Sequence, residues 1–412
     1  MSQSGGRTRL GGIGEAFADR NFRIYSVGSI GSWISYFVQI VTVGWLTWEL
    51  TESTQWLAVM ALLDIVPNVV LMPFAGALAD RFDRHKILIL TSVLCMVQAS
   101  VLAVFAWHNV LTIWWLAALV LIHGIIISFM VPAMYGTVPR FVARERVASA
   151  IAVSSSYTQL AVFLGPAFAG WIILWFGTTL AFVVNAIGYV VLIIALLCLK
   201  TPPDFRQPPR SSRTLFGDIV DGFTYIHTTP TLMPLLVISL VGNAVSGGFF
   251  HMMPAYADTI LDMGVVGLST ILSMLGLGAI CAALWLAHGG SDAARTDRIL
   301  WAFLVSTLAS AALVMTPNLY FAAVLAAIMG FTYEIRKTST FTIIQLAVDE
   351  SQRGRVMGTV FMIAQLAAAI GTYLIGAFAV SAGLRFPILV GTVISLVVWV
   401  VLYQRRDRLF PV

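Results

Sequence analysis

The chain has 412 residues, of which 59% are hydrophobic and only 10% charged, against roughly 25% charged and 45–50% apolar residues in a soluble domain. That balance excludes a water-soluble fold, which would have too little polar surface to face solvent, whereas a bilayer accepts an apolar exterior. The net charge of +5 comes from basic residues scattered loop by loop, which excludes the contiguous basic patch of a nucleic-acid binder.

The segment up to Phe22 is polar and offers no secretory signal, so the first apolar run is expected to stay in the mature protein. A spanning helix needs about 20 apolar residues, because in lipid only a helix satisfies its own backbone. Windows of that length predict spans at 24–48, 55–79, 87–106, 112–136, 148–174 and 178–199. Past a polar stretch they continue at 232–256, 267–288, 298–316, 319–343, 356–380 and 386–404. The expected fold class is therefore an all-α membrane protein of twelve transmembrane helices. Cys95, Cys198 and Cys281 each lie in an apolar run without metal or redox spacing, so no metal and no cofactor is expected.

The loops orient the spans. Arg7, Arg9, Arg20 and Arg23, then Arg81, Arg84 and Lys86, then Arg140, Arg144 and Arg146 all fall on one side. Lys200, Arg206, Arg210 and Arg213 of the central stretch share it, as do Arg353, Arg355, Arg405 and Arg406. The opposite loops hold Glu49, Glu52, Asp258 and Asp262, with Arg385 their one basic residue. Lysine and arginine stay in the cytoplasm, which predicts a multi-pass protein of the cell (inner) membrane with both termini cytoplasmic. Trp33, Trp45, Trp48, Trp56, Trp107, Trp114 and Trp115 mostly lie near span ends and read as interfacial anchors, Trp33 and Tyr36 as alternative solute contacts.

The stretch 200–231 opens with Pro202, Pro203, Pro208 and Pro209, then shows an apolar stripe of Leu215, Phe216, Ile219, Val220, Phe223 and Ile226. It predicts a cytoplasmic linker with a short helix on the membrane surface. On either side the chain echoes itself: Gly124, Gly165 and Gly170 find Gly330, Gly371 and Gly376 at one constant spacing. Two like six-span halves imply a parallel repeat with a solute site at their interface. The expected organisation is an N-terminal bundle 1–199, a linker 200–231 and a C-terminal bundle 232–412.

The loop after span two runs Gly76-Ala-Leu-Ala-Asp80-Arg81-Phe-Asp83-Arg84-His85-Lys86. Glycine permits close helix approach, and the acid with its basic cluster forms a charge network able to hold one face shut. This run resembles the signature of the major facilitator superfamily. Asp83, where the general pattern often has glycine, resembles the branch containing enterobactin and macrolide exporters, as do Val138-Pro139 with Arg144-Glu145 and Gly354-Arg355-Val356-Met357-Gly358. Span five carries Gly165-Pro166-Ala-Phe-Ala-Gly170, which resembles the kink element of proton-coupled antiporters in that superfamily, although Ala161 and Ala152 stand where glycine is preferred. The resemblance implies two pseudo-symmetric six-helix bundles, alternating access, and a cavity lined by spans one, four, seven and ten.

Ionisable groups at membrane depth cost about 2.5–3.5 kcal/mol and therefore tend to face a cavity and a partner. Asp64 lies mid-span with Asn68 one turn on, and Glu334 lies in span ten with Arg336 and Lys337. Helical spacing puts Glu334 and Lys337 on one face as an expected pair. Arg336 points the other way and is expected to snorkel or to meet an acid on a neighbouring helix. A carboxyl that alternates between apolar and charged surroundings can carry a proton; a static ion pair is the alternative. Tyr36, Gln39, His123, Asn243, His251, Tyr333 and Gln365 complete the polar candidates, with helix-to-helix hydrogen bonding as the alternative for each.

The leading reading is a monomeric, proton-coupled exporter of an amphipathic siderophore, drug or metabolite. Its partners are the solute, the bilayer and protons, with no nucleic acid. A lysophospholipid flippase is the alternative, and a non-transporting receptor or scaffold the third. No phosphate-binding glycine loop and no His-Glu-x-x-His run is present, so neither ATP-driven pumping nor an enzyme is expected.

Overall fold

The computed structural model describes residues 17–199, 223–229, 232–288 and 296–406. The first helices are α1 (Arg20–Thr51), α2 (Thr54–Arg81), α3 (Arg84–Trp107) and α4 (Ile113–Thr137). Helix Val147–Leu197 has 51 residues, about 75 Å if straight, far more than the roughly 30 Å of a bilayer core. It breaks at Gly177, where φ is 81° and ψ 173°, into two arms, α5 and α6. The region around φ 80° with ψ near 180° is open essentially to glycine alone.

The second half opens with α7, which runs from Leu232–Gly242 through a π-helical turn, Asn243–Gly247, and Gly248–His251 into Met253–Thr259. After it come α8 (Gly264–His288), α9 (Thr296–Met315), α10 (Leu319–Ala347), α11 (Glu350–Ala382) and α12 (Arg385–Gln404). Among the described residues eleven helices are long and apolar enough to span, and the break at Gly177 makes twelve crossings. Local chemistry starts several of them: Asp83 accepts from His85 N at 2.9 Å to cap α3, and Asn318 from Phe321 N at 3.1 Å to cap α10. Residues 223–228 are helical; the rest of the expected linker helix, 215–222, lies outside the described residues.

The glycine repeat performs the same packing in each half. A β-carbon on Gly124 would stand 2.7 Å from the Asp64 carbonyl oxygen, so glycine there lets α4 close on α2; Gly330 closes α10 on the Leu275 carbonyl of α8. Gly165 lies against Ile34 and Phe37 of α1, and Gly371 against Ala244 of α7. Gly170 meets Ser269 of α8 in the other half, and Gly376 meets Thr54 and Ala58 of α2 in the other half. Gly383, between α11 and α12, repeats the dihedrals of Gly177 with φ 75° and ψ 162°. The two bundles are thus built on one plan, and they meet along α2 with α11 and α5 with α8.

Gly330→Val tests this directly. The added methyls drive into backbone that cannot give way, and overpacking of this kind costs about 1–3 kcal/mol or more. A lower midpoint of thermal unfolding in detergent is expected, whereas Gly358→Ala, with nothing within 4 Å inside a helix, holds or slightly raises the midpoint.

The cores reveal which end is shut. At the end where α1 begins and α12 finishes, one core joins Phe22, Leu88, Met130 and Leu196, all from the first bundle. A separate one joins Leu235, Leu300, Ile344 and Leu402, all from the second. At the opposite end a single core contains Val41, Trp48, Leu57 and Ile172 together with Met252, Tyr256, Leu268 and Ile375. Two hydrogen bonds cross the seam there: Trp48 Nε1 to Asp258 Oδ2 at 2.9 Å and Thr54 Oγ1 to the Gly376 carbonyl at 3.0 Å.

Candidate functional site

Directly inside this seal, between the bundles, lies a cavity of about 60 Å³ lined by Gln39, Gly44, Met60, Asp64, His123 and His251 among others. Asp64 sits ten residues into α2, about 15 Å along the helix axis and so near mid-membrane. Gly124 brings α4 close enough for His123 Nδ1 to reach Asp64 Oδ1 at 2.9 Å, with the two side chains 3% and 27% exposed respectively. The ring of Tyr36 stacks on the imidazole at 5.7 Å and 24°. His123 Nε2 and Gln39 Oε1 are buried without a hydrogen-bond partner. His251 comes from α7 of the other half and lines the same cavity as Asp64. The chamber has room for a few waters and is far below the roughly 300–1,000 Å³ of a drug-sized pocket. As it stands it is too small to hold a bulky solute.

A second polar cluster lies on α10. Lys337 Nζ pairs with Glu334 Oε2 at 2.6 Å, as the helical spacing predicts, and Thr338 donates to Glu334 Oε1 at 2.8 Å. Tyr333 donates to Asn243 Oδ1 at 3.2 Å, and Asn243 Nδ2 donates to the Ser239 carbonyl at 2.6 Å. The expectation for Arg336 is corrected. It does not snorkel, being 1% exposed, and among the described residues it meets no acid, Nη1 donating to the Ile238 carbonyl at 3.4 Å. The physical reason is Gly242, whose missing side chain leaves space on α7 that the guanidinium fills.

The remaining candidates are dispersed. Asn68 and Gln365 are half-buried on α2 and α11. Gly165 and Gly170 pack α5 against α1 and α8, and the helix continues through Pro166, its one break being Gly177. Of the gating loop, Gly76, Asp80 and Arg81 lie within α2, but their side chains are outside the described residues. Asp83 caps α3, Arg84 Nη1 donates to the Gly136 carbonyl at 3.0 Å, and Lys86 is exposed. Trp48 is buried in the shared core and bonded to Asp258 instead of anchoring at the interface. That pair, 210 residues apart, left no local pattern by which sequence reading would have found it.

Twelve membrane crossings in two like bundles, with buried ionisable groups gathered at the seam, define a membrane transporter of the major facilitator type. A model of the family described as "Transmembrane secretion effector" matches residues 15–409, and the chain belongs to that family. It is 22% identical over 376 residues to macrolide efflux protein A of Streptococcus pyogenes, covering 90% of this chain and 93% of that protein. It is 24% identical over 345 residues to the enterobactin exporter EntS of Shigella flexneri, covering 83% and 78%. Among solved structures, a bacterial homologue of the human lysosomal transporter Spinster, in an inward-facing and unoccupied conformation, superposes with a TM-score of 0.75. That likeness, at 15% identity over 95% of this chain and 97% of the other, is one of fold. The family consists of transporters and not enzymes.

Proposed function

We propose that this protein is a proton-driven exporter of amphipathic small molecules that works by alternating access. The observation that carries the reading is the asymmetry of the cores, shared by both bundles at one end and separate at the other. A carrier that has opened toward its source has this form, and rocking of the bundles would exchange the two ends. With the basic loops in the cytoplasm, the open end takes up solute from the cell interior. In this reading the bundles are 1–199 and 232–412, joined by the tether 200–231, and the Gly76–Lys86 loop closes the cytoplasmic end in the alternate state. Protons entering from outside are taken up at Asp64 and His123, immediately beneath the seal. The names of the relatives, a macrolide efflux protein and an enterobactin exporter, support export of bulky amphipaths.

The test is flux in proteoliposomes. Radiolabelled erythromycin and an anionic amphipath, radiolabelled taurocholate, are offered under an imposed pH gradient. Movement of either against its own gradient, abolished when a protonophore collapses the pH difference, is the expected result. Flux indifferent to the protonophore would remove the proton from the mechanism, and no flux of either would refute export of this class.

A further inference from the structure

The half-buried acid of the first bundle, Asp64, has a basic partner in His123, but Arg336, the buried base of the second bundle, has no acidic one among the described residues. Arg336 stands in the middle of α10 with its guanidinium carbon 5.1 Å from the centre of the Tyr333 ring. Its Nε and Nη2 atoms have no hydrogen-bond partner, and neither have the hydroxyls of Ser339 and Thr340. These three residues are spaced i, i+3 and i+4 and so share one face of the helix. Glu334 does not neutralise the arginine: two residues away on a helix is nearly the opposite side, and its two oxygens are held by Lys337 and Thr338. Nε and Nη2 are also not an arbitrary pair of donors. Their N–H bonds run parallel along one edge of the guanidinium, the fork that accepts a carboxylate, sulfonate or phosphate in two hydrogen bonds.

The surroundings keep this fork in place. On α7 the facing residue is Gly242, where a β-carbon would come within 2.6 Å of the guanidinium carbon, and the helix widens into its π turn at the next residue. Such turns occur often at functional sites. Beside the arginine stand Tyr333, bonded to Asn243, and Lys337, 36% exposed, whose Nζ lies 5.9 Å from the centre of the same Tyr333 ring.

We infer that Arg336, Ser339 and Thr340 form an anion subsite, reached when Tyr333 swings off Asn243, which takes the carboxylate, sulfonate or phosphate group of an amphipathic solute. The inference rests on the export reading and names the charge that preferred solutes carry.

Matched aromatic probes test it in a binding assay that needs no gradient. Naphthalene-2-sulfonate and naphthalene-2-sulfonamide, and 2-naphthoate and 2-naphthamide, are titrated into the purified full chain, with thermal stabilisation as the readout. A charge-assisted bidentate contact predicts about tenfold tighter half-saturation for each anion than for its neutral partner. R336Q reduces the preference to within about twofold by the same reasoning, and R336K, which keeps charge but loses the fork, falls between. An absent preference in the wild type, or an undiminished one in R336Q, overturns the inference. If R336Q does not fold, the wild type and R336K decide: equal affinities for anion and amide, or a preference in R336K equal to that of the wild type, refute it. Anion preference without gradient-driven flux would sink export alone, while flux without the preference would sink only this subsite.

Discussion

Asp64→Asn is expected to bring pH-gradient-driven flux down to the level of protein-free liposomes while downhill exchange of solute continues. Asparagine has the same shape and still offers an oxygen to His123 Nδ1, so the contact at 2.9 Å and the packing of α4 on α2 survive. What it cannot do is gain and lose a proton. The competing carrier is Glu334, and local geometry separates the two. Glu334 is 7% exposed and held on both oxygens by neighbours on its own helix, an arrangement that rocking of the bundles leaves intact. Asp64 has one oxygen on His123 and borders a chamber whose far wall, His251, belongs to the other bundle. Separation of the bundles at the sealed end would therefore change what Asp64 faces, the condition a coupling group has to satisfy. Measured side by side, Glu334→Gln should retain gradient-driven flux. If D64N retained it and E334Q lost it, the coupling role would pass to α10.

How far this arrangement was legible in the sequence depended on the range of each interaction. The spans were readable because about 20 apolar residues in a row have one solution in lipid. The paired glycines were readable because each marks a backbone contact and recurs at fixed spacing, and Glu334–Lys337 because its partners are three residues apart. Asp64 and His123 were visible separately as costly residues at membrane depth, but nothing local joined them, since they stand 59 positions apart. Arg336 was misjudged for a related reason. A helical wheel gives the direction of a side chain but not what stands opposite, and here that was a glycine 94 positions earlier. Trp48 lies near a span end, where tryptophan usually anchors at the interface, and only the fold brought Asp258 within reach of its indole.

The seal itself should be adjustable. Replacing Trp48 with phenylalanine and Thr54 with valine keeps an aromatic ring and a β-branched side chain, and removes the donors of the two hydrogen bonds that cross the shut end. Each is worth about 1 kcal/mol net. Because they lie on different helices and have different acceptors, their losses should nearly add, shifting the balance between the two end states roughly thirtyfold toward opening at that end. The carbonyl of Gly376 loses little, being inside α11, and Asp258 is exposed and regains water. A cysteine at Met253, 1% exposed within the shared core, reports the change through its rate of labelling by a membrane-impermeant maleimide, with Cys95, Cys198 and Cys281 replaced by alanine. Faster labelling in W48F/T54V than in the otherwise identical parent is the expected result, with each single variant between them. Equal rates would mean that the shared hydrophobic core holds this end closed without help from the bonds. In that case opening must be driven by something stronger than the loss of two hydrogen bonds, and the Asp64–His123 pair directly beneath the seal is the group whose change of charge would have to supply it.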